Sequence, residues 1–219
     1  MAKVVVFGNA LTAELAHYYL VHDSIHEVVA FTVDQAYLTE PTFCGLPLVA
    51  FEEVERLYPP AEFQFFAPLT ERKMNQVRAQ VYQQAKEKGY SFISYVSSKA
   101  TVLTDQIGEN CFILEDNTIQ PFVKIGNDVV LWSGNHIGHH GVIRDHVFFT
   151  SHVVMSGRCD IGAYSFVGVN ATIRDGTQLG EGTLLAMGSN LTTQETPPWS
   201  VWKGNPARKA DVSSKDVDL

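Results

Sequence analysis

Five of the eight histidines in this 219-residue chain crowd into one stretch: His136, His139, His140, His146 and His152. Imidazole exchanges a proton near neutral pH and, when neutral, ligates metals, so the cluster suits either proton transfer or metal binding. Other groups suit anions. Arg158, Arg174, Lys203, Arg208 and Lys209 collect late in a chain whose formal net charge is −8, and such cations pair with phosphate oxygens. Near the start, Gly8-Asn9-Ala10 closes a β-branched run just before a helical segment, a turn whose backbone N–H groups can receive a diphosphate. Asp34 follows a second such run. Pro68-Leu69-Thr70 ends a third, and Asn75 and Arg78 stand on the helix after it, so these residues can line one pocket. Cys44, Cys111 and Cys159 are odd in number and form no CxxC pair, which suits reduced thiols in a cytoplasm.

The elements that carry these residues fall into two rhythms. Over residues 1–96, strand-like segments at Lys3–Gly8, Val28–Val33, Gln64–Pro68 and Ser91–Val96 alternate with helical ones at Thr12–Val21, Phe51–Leu57 and Arg72–Lys88, with Thr12 as an N-cap. That alternation predicts a small Rossmann-like parallel sheet covered by helices.

From Ile107 the rhythm changes to six. Every sixth residue through Leu191, fifteen positions in all, is large and apolar. An unbroken period of this kind signals a repeat architecture. The residue four places later is mostly small or β-branched, as at Cys111, Val123, Val129, Ala171 and Thr183. Large and small side chains pointing inward together would fill a narrow triangular prism with three six-residue faces per eighteen-residue coil. Stepping by eighteen gives Ile107-Gly108, Ile125-Gly126, Ile143-Arg144, Ile161-Gly162 and Leu179-Gly180, a repeated pair with one exception. Residues 97–195 are therefore read as an all-β left-handed parallel β-helix and 196–219 as an extension. His139 and His140 fall at the turn positions on a prism edge. His140, His146 and His152 share one phase on three different edges, so within one chain they cannot share a tetrahedral metal site. Cys111 and Cys159 fall at inward positions, as packing residues rather than nucleophiles.

Composition narrows the classes further. The acidic balance disfavours a nucleic-acid partner, whose phosphates need a basic surface. No apolar run approaches a membrane span, and the short run at Val4–Phe7 is no signal peptide, so a cytoplasmic protein is expected.

The repeats, followed by Gly204-Asn205-Pro206-Ala207-Arg208, resemble the hexapeptide-repeat acyltransferases, whose last coil is often followed by G-N-P-A-[KR]. With the small α/β domain in front, the whole chain resembles the sialic-acid O-acetyltransferase-like sugar acetyltransferases. The resemblance implies a homotrimer, with acetyl-CoA between neighbouring β-helices and a UDP- or dTDP-linked amino sugar held mainly by the N-terminal domain. It implies N-acetylation for surface glycan (lipopolysaccharide or O-antigen) biosynthesis, without a metal. His139 matches the family's general base, with His140 as the alternative, and Gly157, eighteen residues on, matches a backbone N–H donor to the thioester oxygen. Arg158, Arg174, Lys203 and Arg208 then face the CoA phosphates, and Gly8, Asn9, Ala10, Asp34, Pro68, Thr70 and Arg78 face the nucleotide sugar. Two departures stand out. Only the first glycine of the family's G-x-G-x-x-A turn is kept, and His140 replaces the glutamate that orients the base in several relatives. Sugar O-acetylation, a metal-dependent lyase related to γ-carbonic anhydrases, and a non-catalytic trimeric scaffold are the alternatives.

Overall fold

The structure, a computed structural model, describes residues 1–218. Its first layer is a sheet ordered β3-β4-β2-β1-β5, with β1 Lys3–Phe7, β2 Glu27–Val33, β3 Thr42–Phe43, β4 Leu46–Ala50 and β5 Gln64–Phe66. All neighbours pair in parallel except the short β3–β4 hairpin at the edge. Val4, Val5 and Val6 are fully buried, as a central parallel strand covered on both faces requires. Helix α1, Leu11–His22, covers one face through Ala13, Ala16 and Leu20. Val54 of α2, Val54–Leu57, and Val81 and Ala85 of α3, Gln76–Glu87, cover the other.

Local chemistry moves several boundaries. Ala10, not Thr12, caps α1, and it does so without a side-chain hydrogen bond. Helix α3 starts four residues later than the expected Arg72, because Lys73, Met74 and Asn75 are left-handed (φ 50°, 53° and 65°). That turn pushes Met74 into a buried cluster with Leu184 and Val201. Of the expected strand Ser91–Val96, only Tyr95–Val96 is a strand, and it pairs with the second half rather than the first.

The second half is the triangular prism. Residues eighteen apart pair in parallel on each face: Ile113, Leu131, Phe149, Val167 and Leu185 on the first; Ile119, Ile137, Met155, Ile173 and Leu191 on the second; Ile125, Ile143, Ile161 and Leu179 on the third. Their side chains form one continuous core. The corner residues repeat as well. Every sixth residue from Asn110 to Gly188 has positive φ, including His140, His146 and His152. The left-handed region favours Gly, Asn, Asp and His, so the six-residue spacing of these histidines follows from corner geometry and not from a shared ligand. At the far end Ser200–Lys203 extends the first face beyond residue 195, and Arg208–Ser213 folds back on it as an antiparallel strand.

Two interior positions carry amides. Asn117 and Asn135 are buried where the repeat calls for small side chains. Asn117 donates to the carbonyls of Leu114 (2.8 Å) and Trp132 (2.9 Å), while Asn135 donates to Trp132 and accepts the Val153 N–H at 2.7 Å. Asn135→Ala should therefore cost about 1–3 kcal/mol in urea unfolding, the usual penalty for stranding buried polar partners.

Only the first face carries a continuous apolar exterior. Phe112, Val130 and Phe148 join one buried cluster with Val4, Val6 and α1, so the prism packs against the α1 side of the sheet. The corresponding outward residues of the other faces include Thr118, His136, Thr172, Lys124, Asp160 and Gln178. Asp23, capping the end of α1, ties the halves together by accepting from Tyr95 Oη (2.7 Å), Ser97 Oγ (3.1 Å) and the Ser98 N–H (3.0 Å). These bonds, Ser98's first and then Tyr95's, hold its carboxyl at about 2. A depressed carboxyl stabilises the fold above the ordinary carboxylate range, and that stability is lost as pH falls toward 2. Wild-type protein should lose stability more steeply between pH 4 and pH 2 than Asp23→Asn, as read by denaturant midpoints.

Candidate active site on the prism edge

The edge between the second and third faces lies opposite the face that packs on the N-terminal sheet, and it carries most of the chemistry. Successive coils contribute Gln120-Pro121-Phe122, Gly138-His139-His140, Ser156-Gly157-Arg158 and Arg174-Asp175-Gly176. His139 and His140 are both exposed there. The His139 backbone N–H donates to Gln120 Oε1 at 2.8 Å, fixing the corner, and its Nδ1 lies 3.1 Å from His140 Nδ1. One nitrogen of that pair must carry the proton and the other accept it. The His140 ring in turn packs on Phe122, centroids 4.6 Å apart.

Gly157 sits one coil beyond His139. A Cβ there would stand 2.9 Å from both Cε1 and Nε2 of His139, so only glycine leaves the imidazole its place. Among the described residues no protein acceptor takes the Gly157 N–H. An unpaired backbone donor beside an exposed imidazole is the arrangement that thioester attack needs: a proton acceptor and a partner for the developing oxyanion. Asp175, which sequence reasoning did not single out, stands on the next coil and ion-pairs with Arg158. Its carboxyl is held below its ordinary value, first by the Arg158 hydrogen bond and also by charge from Arg158, His139 and Arg174. The signal was available, because residue 175 is two coils of eighteen beyond residue 139.

The basic residues divide. Arg158 and Arg174 are exposed on this edge, whereas Lys203, Arg208 and Lys209 are exposed on the terminal hairpin. In the N-terminal sheet, Gly8-Asn9-Ala10, Asp34 and Pro68-Leu69-Thr70 all lie just past the carboxyl ends of β1, β2 and β5, where open parallel sheets take ligands. Gly8 (φ +123°) could not become alanine freely, since its Cβ would sit 3.0 Å from that of Ala13. Asn9 donates to the Tyr37 carbonyl at 3.2 Å. Burial, and then the neighbouring Glu52 carboxylate, push the Asp34 carboxyl up.

Arg78 is elsewhere. Expected beside the sugar, it is fully buried between α3 and the prism. Its Nε lies 3.1 Å from Asp128 Oδ1, close enough for charge pairing though not aligned as a hydrogen bond. Its Nη2 donates to the carbonyls of Asp128 and His146, each at 3.1 Å. Asp128 Oδ2 also meets His146 Nδ1 at 2.7 Å, so that histidine is committed to the same buried knot. Asn75 likewise turns inward and donates to the Tyr164 carbonyl. Asn135, four residues before His139, is locked inside the prism. Cys111 and Cys159 are buried in the core, and burial raises both thiols, that of Cys111 to about 12. Among the described residues no group of three or more His, Cys, Asp or Glu is arranged to hold a metal ion, and no helix is long and apolar enough to cross a membrane.

The family described as bacterial transferase hexapeptide (six repeats) matches this chain at residues 106–139, within the prism. The chain's two-part architecture is shared nearly end to end by solved sugar acetyltransferases. The acetyltransferase domain of PglB from Neisseria gonorrhoeae FA1090 superposes with a TM-score of 0.84 at 20% identity, covering 96% of this chain and 100% of that one. A mutant of perosamine N-acetyltransferase from Caulobacter crescentus, in complex with CoA and GDP-perosamine, gives 0.82 at 18% identity over 97% and 98%. Among curated proteins, the acyl-[acyl-carrier-protein]–UDP-N-acetylglucosamine O-acyltransferase of Helicobacter pylori (strain Shi470) is 27% identical over 129 residues, 52% of this chain and 47% of that one. The namesake enzyme from Burkholderia lata is 29% identical over 89 residues, 41% and 34%. The chain thus spans a third to a half of the length of these curated relatives.

Proposed function

We propose that the protein is an acetyl-CoA-dependent N-acetyltransferase acting on the amino group of a nucleotide-linked sugar. The observation that carries this reading is the exposed His139 imidazole packed over Gly157, whose N–H is unpaired. In the reaction the neutral amine attacks the thioester carbonyl, forming the N–C bond. His139 takes the amine's proton, the Gly157 N–H meets the oxyanion, and the C–S bond then breaks. The proton passes from His139 to the departing thiolate, leaving free CoA thiol and an amide. Arg158 and Arg174 lie where the phosphates of CoA would approach along the edge, and Lys203 and Arg208 are free to meet them from the hairpin. The turn at Gly8–Ala10, opening α1, is the place for the sugar's diphosphate, and Asp34 for its nucleoside.

The active edge and the sheet's ligand end belong to opposite sides of the prism. A sugar nucleotide held on the sheet of one copy would therefore be acetylated by His139 of another, which supports a homotrimer with sites between neighbours. The structures solved with CoA and a GDP-linked amino sugar support the substrate class, and a role in surface glycan synthesis in the cytoplasm is part of the same proposal. The curated relatives favour a second reading, O-acylation of a nucleotide sugar, but over only part of the chain. One assay separates them. Thiol release from acetyl-CoA, with a panel of nucleotide-linked sugars bearing either a free amine or only hydroxyls, should require the amine and yield an amide. An ester product selects the second reading, and no release with any acceptor removes both.

A further inference from the structure

We infer that Asp175 is the carboxylate that positions His139 and supports its charged form, doing so from two coils away. The inference rests on the acyl-transfer reading above and names a part of that site which no sequence neighbour of His139 supplies, since the following residue is His140.

The geometry is a bridge with one open span. Arg158 Nη2 holds Asp175 Oδ2, which leaves Oδ1 turned toward the space above Gly157. A Cβ built on Gly157 would lie 3.2 Å from Asp175 Oδ1 and 2.9 Å from His139 Cε1 and Nε2. Imidazole and carboxylate thus flank the same small volume from opposite sides, and it stays clear because residue 157 has no side chain. The gap is one that a bridging water or a modest side-chain rotation closes. The charged and titratable groups facing the pair are His140, Arg158 and Arg174.

Four other carboxylates near the prism edges are committed. Asp145 accepts the Asn127 N–H at 2.7 Å, Asp160 pairs with Arg144, Asp128 is buried with Arg78 and His146, and Glu115 accepts from Tyr19 and Ser133. Asp175 alone among these faces the His139 ring. Its function follows from the proton's path. When His139 takes the amine proton it becomes a cation, and a carboxylate within a few ångströms lowers the energy of that cation and of the transition state leading to it. Arg158 gains a second task, holding the carboxylate in register. Gly157 does too, keeping the span open.

The test uses the full chain and Asp175→Asn, a change of nearly identical shape at an exposed position. Turnover number should fall about 10- to 100-fold, at or below the lower end of the range for a group that itself moves the proton. KM for acetyl-CoA and acceptor should stay within a small factor. The acidic limb of the kcat/KM–pH profile should move to lower pH, because without the anion the imidazolium forms less readily. The ring titration of His139, followed by NMR with no substrate present, should move the same way. Unchanged turnover with an unchanged pH profile overturns the inference while leaving the acyl-transfer reading intact. A moved ring titration in a protein that releases no thiol with any acceptor keeps the pair and removes the reading.

Discussion

Replacing His139 with alanine should lower kcat about 10²- to 10⁴-fold while leaving KM for acetyl-CoA nearly unchanged, the loss expected when a positioned general base is removed. The side chain is exposed and, among the described residues, hydrogen-bonds only with His140, so the variant should fold as wild type does. Asparagine at this position should be as damaging as alanine, since an amide restores shape but not proton affinity. His140→Ala should cost far less, because His140 is a corner residue packed on Phe122 and turned away from the Gly157 N–H. Steady-state thiol release in the two single variants measures the contrast. Equal losses at both positions would mean that the two imidazoles act as one unit.

The largest effect on stability is expected at Arg78. Its guanidinium and the Asp128 carboxylate are 1% and 0% exposed, so truncating either leaves its partner charged in a dry interior. Breaking such a pair costs about 3–5 kcal/mol, whereas its net contribution relative to an uncharged pair is far smaller. Arg78→Ala should therefore lower unfolding free energy by roughly that amount, read from denaturant midpoints. The double variant Arg78→Met with Asp128→Asn should recover part of it; Asn tolerates the left-handed backbone that Asp128 adopts. Because this knot and the apolar contacts of Phe112, Val130 and Phe148 join the sheet to the prism, both halves should unfold in one transition. Two separate transitions in the wild-type protein would contradict a shared core.

The prism was legible because a strand alternates its side chains and a six-residue period leaves one inward bulky position per face. The left-handed corners follow the same count, which is why three histidines keep a spacing that resembles a ligand set. Interior Asn117 and Asn135 escaped an apolar search, since their amide N–H groups donate to nearby carbonyls and Asn135 also accepts the Val153 N–H. The docking face was written in the sequence as an unbroken row of apolar residues one place before the inward ones, at 112, 130, 148 and 166, whereas the other faces carry only Val142 and Val154 there. Arg78 could not be read. A charged residue on a polar helix looks solvated until the element that buries it is known, and its partner lies fifty residues away. Asp175 was legible only by carrying the eighteen-residue step that reaches Gly157 one coil further, since nothing in the sequence next to His139 points to it.

Acyl transfer at the edge that bears His139 is tested most directly by a crystal structure of the protein with CoA and a nucleotide-linked amino sugar. The account predicts the CoA sulfur beside the Gly157 N–H and the sugar nitrogen within about 3 Å of the His139 ring, with the nucleotide on the sheet of a neighbouring copy. CoA bound away from this edge, or an acceptor nitrogen out of reach of His139 in every copy, would contradict it.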